Sequence, residues 1–161
     1  MTIPAEMLTD LMTSTEEVFE TMMFKSLVRV PAVETASERK GAHVVATVAF
    51  AGHRRGLVAI HSSIDAARSI AGAMLGIAIE DLNDEMPDAM GEVANMVAGT
   101  FRNKLAAIEP ASAIAVPTVT IGSDFSTKYM GAVRRARCPF QMEGQPIAVE
   151  LILIGEEKAA P

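Results

Sequence analysis

A chain of 161 residues, half of them apolar and about a fifth charged, has the length and balance of one globular domain, which excludes a disordered, collagen-like or disulfide-stapled chain. Fourteen Lys and Arg stand against twenty Asp and Glu, a net charge of −6, which disfavours binding to nucleic acid or anionic lipid through clustered basic residues. Cys138 is the single cysteine, so no intrachain disulfide forms and no zinc-ligand spacing exists, as expected of a protein in a reducing cytoplasm. The longest uncharged stretch, residues 110–123, is too short and too rich in small side chains to cross ~30 Å of hydrocarbon. The opening MTIPAEMLTDLMTSTEE reaches acidic residues where a secretory signal carries basic and then apolar ones.

In chain order, Met7, Leu8, Leu11, Val18, Met22 and Met23 recur at mostly helical intervals and predict a long helix over about 4–24. Residues 27–33, broken by Pro31, read as a short edge strand. Residues 43–50 and 56–61, rich in Val and Ile, predict a hairpin around the turn 51–55. Ser62 or Ser63 can cap an alanine-rich helix over 64–75, which Gly76 stops. After an acidic, proline-containing approach at 84–87, an amphipathic helix is expected from Asp88 to Ile108, ended by Pro110. Strands follow over 113–121, 132–142 and 146–154, the last two joined by a tight turn at Glu143-Gly144-Gln145. Residues 1–155 form the expected single domain, and 156–161 are a polar, alanine-rich tail.

This order predicts an α+β fold, an antiparallel sheet covered on one face by helices. A shift of 75 residues places Glu17 to Met22 over Glu92 to Val97 and Thr13 over Asp88, a weak repeat that suggests two pseudo-symmetric halves. On the helix from Asp88, the residues Met90, Val93, Ala94, Val97, Phe101, Leu105 and Ile108 make one apolar stripe. Asp88, Glu92, Asn95, Gly99 and Asn103 are spaced to share a second face turned away from it. Such a face is usually a solvated one, but Asn is a poor interior helix residue. Gly99 costs about 1 kcal/mol relative to Ala there; it either opens a notch to a partner or serves close packing of a neighbour.

Asp88-x-x-x-Glu92-x-x-Asn95, followed downstream by Pro117, resembles the motif of the CheC, CheX and FliY chemotaxis phosphatases, with the proline one position short of the family's spacing. Glu20 stands where Asn95 stands in the other half, which is similar to the CheX branch, where one half keeps a working site. The resemblance implies a CheC-like pseudo-symmetric architecture and hydrolysis of the aspartyl phosphate of a CheY-like receiver domain. In that reading Asn95 places the attacking water, Glu92 docks a regulator lysine, and Asp88, Gly99 and Asn103 complete the partner-binding face. It implies no cofactor of the chain's own, since the Mg2+ is the regulator's, and a homodimer joined by sheet edges. The strand over 146–154, apolar on both faces, is a candidate edge for that pairing, although an interior position explains its pattern as well. A non-catalytic adaptor using the same helix is the alternative function.

The other polar residues point elsewhere. His43, His53 and His61 have no partner at metal-ligand spacing and read as structural or surface residues. The eleven methionines fall mainly at apolar helix positions, where they fill a core. Arg134, Arg135 and Arg137 read as edge or surface charges that discourage pairing, with a basic docking patch as the weaker alternative. No Ser-His-Asp set, Walker loop or GxGxxG is present.

Overall fold

The computed structural model describes residues 2–31, 42–108, 110, 112–131 and 133–155; the predicted tail, 156–161, lies outside them. Helix α1 (Ala5–Met22) follows Pro4 and turns Met7, Leu11, Val18 and Phe19 inward. Strand β1 (Val28–Arg29) is shorter than the predicted 27–33, of which positions 32 and 33 lie outside the described residues. Strands β2 (Ala42–Ala51) and β3 (Arg55–Ser63) form the expected hairpin, closed where the Gly52 N–H donates to the Arg54 carbonyl at 2.9 Å.

Helix α2 (Ile64–Leu75) carries both predicted termini: Ser63 Oγ accepts from the Ala66 N–H at 3.0 Å, and Gly76 ends it in the left-handed region at φ 67°. A single 3-10 turn, Ile79–Asp81, which the sequence pattern did not reveal, leads into helix α3 (Met86–Leu105). Pro87 falls in its first turn, where a missing N–H costs nothing. The remaining strands are β4 (Ala113–Ile114), β5 (Thr118–Ser123), β6 (Val133–Met142) and β7 (Gln145–Ile154). Between β6 and β7, Glu143 and Gly144 both have positive φ, 51° and 79°, and Met142 pairs with Gln145, as a two-residue primed turn requires.

All seven strands pair antiparallel in one sheet of order β1-β6-β7-β3-β2-β4, with β5 also on β2. Strands β4 and β5 share the outer edge of β2, and the predicted continuous strand over 113–121 is interrupted. Ile114 lies opposite Phe50 and Thr118 opposite Thr47, so Ala115, Val116 and Pro117 face only Val48 and Ala49. The extra residue makes a bulge, and Pro117, which cannot donate to the ladder, sits inside it. Exchanging β1 with the β4–β5 edge, β2 with β6 and β3 with β7 reverses the strand order onto itself, and α1 packs on α3. The two halves are thus pseudo-symmetric, although the equivalent strands stand about 90 residues apart (Ala42 to Val133, Arg55 to Gln145) and the 75-residue shift matches only the helices.

The three helices cover one face. Val44, Val48, Val58, Ile60, Val149 and Leu151 point from the sheet into a core shared with Leu11, Phe19, Ile70, Met90 and Phe101. Strand β7 lies between β6 and β3, so its two apolar faces come from interior burial and not from a free edge: Leu151 and Leu153 join the helical core while Ile152 packs with Val45 and Ala59 on the other side.

That second face is closed by the segment after β5. Phe125 stacks on His43 with ring centroids 4.1 Å apart, and the Arg135 guanidinium lies 5.2 Å from the Tyr129 ring. Beneath them Glu150 is buried, with Oε2 2.7 Å from His61 Nε2 and Oε1 accepting from Arg135 Nε at 2.7 Å. Arg137 stands 3.5 Å from Oε2. Arg135 and Arg137, expected to be edge or surface charges, are therefore countercharges for a buried carboxylate that only the β6–β7–β3 pairing brings within reach.

Burial alone would raise the Glu150 pKa, but the hydrogen bond and charge of His61, with those of Arg135, outweigh it and hold the carboxyl at about 2, against an ordinary 4.5. A carboxylate depressed on folding contributes its stability above the unfolded value and loses it as pH falls from about 4.5 towards 2. Glu150→Gln should therefore lower stability at pH 7 by about 2–4 kcal/mol, since it leaves the cations without their carboxylate. It should also flatten the acid limb of a urea-unfolding series between pH 5 and 3. An acid limb equal to that of the unsubstituted protein would show that Glu150 does not govern it.

Candidate functional site

The candidate site is a face of α3, and its orientation is set by what the opposite face buries. Met90, Val93, Ala94, Val97, Phe101 and Leu105 are all buried, with Phe101 meeting Phe50 edge-on at 6.3 Å between ring centroids. Ile108 does not complete the stripe. The helix stops at Leu105, and the Ala107 and Ile108 N–H groups bond three residues back, to Lys104 and Leu105, leaving Ile108 72% exposed. Pro110 is the physical reason, because the residue before a proline avoids the helical region and the last turn tightens ahead of it.

At about 100° per residue, Asn95, Asp88, Gly99, Glu92 and Asn103 fall in that angular order within an arc of about 80° on the outward side of α3. Asp88, Glu92 and Asn103 are exposed, and Asn95 and Gly99 are half-buried. A Cβ on Gly99 would meet no atom within 4 Å, so the close-packing explanation falls away and the open notch remains. The side chains of Asp88 and Glu92 bond to no described residue, though they sit one turn apart where like charges repel. A negative surface is thus kept unneutralised beside an amide.

The matching face of α1 is arranged differently. Glu17, which the repeat aligns with Glu92, accepts from Lys104 Nζ at 3.0 Å, and Glu16 is paired with Arg29. Glu20, in the place of Asn95, is exposed. The first-half carboxylate is therefore occupied by a cation from the second half, and no amide stands beside it.

One flank of the α3 face is walled by the bulge. A Cβ at Gly91 would lie 3.4 Å from Pro117 Cγ and 3.5 Å from Val119 Cγ2. Gly91 is about 40° around the helix from Asn95 and about 60° from Asp88, so the proline borders the Asn95 side whatever its distance along the chain. Among the described residues no three His, Cys, Asp or Glu side chains come together to hold a metal ion. His43 and His61 are engaged on the far face of the sheet and His53 is an exposed turn residue. No helix is long and apolar enough to cross a membrane, among the described residues.

The family model described as Chemotaxis phosphatase CheX matches residues 44–141. The chain belongs to the CheX family. A chemotaxis protein CheX from Desulfovibrio desulfuricans superposes with TM-score 0.79 at 26% identity, covering 92% of this chain and 99% of its own. A CheX from Vibrio vulnificus gives 0.78 at 25% identity, over 92% and 97%. CheX in a CheX–CheY–BeF3–Mg2+ complex from Borrelia burgdorferi gives 0.72 at 22%, over 92% and 97%, a likeness of fold. Among curated proteins no significant match is found. The stretch matched by the CheX model includes all of α3 and the bulge, and α+β architecture with an antiparallel sheet is common to the chain and these neighbours.

Sequence reasoning found the α3 face but missed its border, since spacing along a helix shows which residues share a side and not which distant strand lies next to it. The proline was legible and the neighbouring Val116 was not. Because nothing fills the space over Gly99, Gly99→Ala should stabilise the fold by about 0.5–1 kcal/mol through helix propensity. A thermal or urea melt reads this directly; a loss of stability would mean the position is packed after all.

Proposed function

We propose that this CheX-family chain hydrolyses the aspartyl phosphate of a CheY-like response regulator, with Asn95 as the water-placing residue and Glu92 as the docking carboxylate. One observation supports this above the rest: Glu92 and Asn95 lie one turn apart on an outward helix face that no described residue neutralises, whereas the equivalent Glu17 is tied to Lys104. The neighbour from Borrelia burgdorferi, in complex with CheY, BeF3 and Mg2+, has the same fold.

An acyl phosphate is already activated, so hydrolysis needs a water held in line with the phosphorus. Its oxygen forms the new P–O bond as the bond from phosphorus to the aspartyl oxygen breaks, and the products are inorganic phosphate and a free carboxylate. The Asn95 amide can accept from that water and donate to the phosphoryl group while carrying no charge; a carboxylate in its place, as at Glu20, would repel the phosphoryl oxygens. Glu92 pairs with a lysine of the regulator, and Asp88, Gly99 and Asn103 extend the contact. The divalent cation is held by the regulator, and such a substrate puts the reaction in the cytoplasm.

Asn95→Ala should slow dephosphorylation of a phosphorylated CheY-type receiver domain by about 100-fold or more while binding to its BeF3-loaded form persists. Glu92→Lys should instead weaken that binding by at least about tenfold. Undiminished hydrolysis by Asn95→Ala would remove the catalytic assignment, and undiminished binding by Glu92→Lys the docking one.

The same reading makes the protein a homodimer joined through sheet edges. Strand β7 is interior, so the pairing edge is sought on β6: among the described residues β1 covers it only at Phe140 and Gln141, leaving the outer side of 133–138 without a neighbouring strand. Light scattering at micromolar concentration should give about twice the chain mass, and a monomer at every accessible concentration would refute the dimer.

A further inference from the structure

Val116 is 86% exposed in the bulge between β4 and β5, and its neighbours in the chain place it near α3. Pro117 and Val119 lie against α3 at Gly91. Further along, Ile114 is paired with Phe50, which meets Phe101 of α3. The edge segment therefore borders α3 between Phe50, which meets Phe101, and the proline and valine that meet Gly91. Val116 is the chain neighbour of the proline that meets α3 at Gly91, on the flank nearer to Asn95.

The bulge explains why Val116 is outside. An uninterrupted strand would alternate sides along 113–121 and keep each residue opposite one of β2, whereas Ala115, Val116 and Pro117 share two partners. Ala115 keeps the ladder, its N–H donating to the Ala49 carbonyl at 2.8 Å, and Pro117 turns to the helix. Val116 is left facing solvent. The cost of exposing it brings no packing against any described residue.

We propose that Val116 is an apolar docking residue for the phosphorylated receiver domain, carried by the bulge that borders the Asn95 side of the α3 face. This rests on the phosphatase reading for the identity of the partner. A negative face alone attracts many basic surfaces and fixes orientation poorly. An apolar contact on the border of that face, on a backbone held by Pro117 against Gly91, adds a second point that fixes how the partner lies on the helix. A partner that buries Val116 must present an apolar side chain next to its phosphorylation site, which makes this residue a determinant of which receiver is served.

The test is Val116→Ala in the full chain, with Ile108→Ala as an exposed apolar control away from the face. Two readouts are taken on a CheY-type receiver domain: half-saturation in steady-state dephosphorylation, and titration of the receiver loaded with BeF3 and Mg2+. Val116→Ala should raise both the half-saturation concentration and the dissociation constant by about 5- to 15-fold, the loss expected for two buried methyl groups. The maximal rate should stay unchanged, and Ile108→Ala should behave as the unsubstituted chain. Unsubstituted values for Val116→Ala in both readouts, with an active parent, overturn this inference and leave the phosphatase reading standing. A parent that binds the loaded receiver through Val116 without hydrolysing the phosphate overturns the phosphatase reading and upholds the docking role. A parent that does neither overturns both.

Discussion

Everything proposed for this protein depends on how α3 is rotated, and that rotation is fixed by burial. Six side chains from Met90 to Leu105 are driven out of water against the sheet and its companion helices, each large one contributing roughly 1.5–3 kcal/mol. Turning the helix by a single residue position would expose part of that stripe and bury a carboxylate. The outward presentation of Asp88, Glu92 and Asn95 therefore follows from the core, and the site needs no hydrogen bonds of its own to hold it. Residues that a partner must neutralise can stay unpaired, because the helix beneath them is stabilised elsewhere.

The two halves of the chain illustrate how one scaffold produces a single exposed site. Strand order and the α1–α3 pair are symmetric, yet Lys104 of α3 reaches across to Glu17 of α1. Among the described residues no cation does the same for Glu92. One half thus supplies a countercharge to the other and keeps its own acidic face open. The bulge at 115–117 adds to the asymmetry by bringing Pro117 against Gly91. Gly91 is buried on the flank between the stripe and the polar face; an alanine there would just touch the proline, and a side chain longer than alanine's would press on it and on the bulge that carries Val116.

Much of this architecture was legible in the sequence where the signal is local. The Ser63 cap, the Gly76 stop, the Glu143-Gly144 turn and the apolar stripe of α3 each follow from a few consecutive residues, and each is present. The outward face was legible too, from spacing alone, including the placement of Glu92 and Asn95. What escaped depends on residues far apart in the chain. Whether Arg135 and Arg137 are surface charges or partners of Glu150 is decided by strand order, and so is the interior place of β7. Whether residues 113–121 run as one strand is decided by the fit of Pro117 to the helix. Ile108 matched the helical period, but the proline two residues on had already ended the helix.

The central claim is that the outward face of α3, with Asn95 at its inner border, is where the phosphorylated receiver docks. A crystal structure of this chain with a CheY-type receiver domain carrying BeF3 and Mg2+ tests it most directly. The account predicts α3 laid against the phosphorylation site, the Asn95 amide within hydrogen-bond distance of a water in line with the beryllium, and Glu92 beside a lysine of the receiver. A receiver seated on another surface, or one that meets α3 with Asn95 turned away from the BeF3 group, would contradict it.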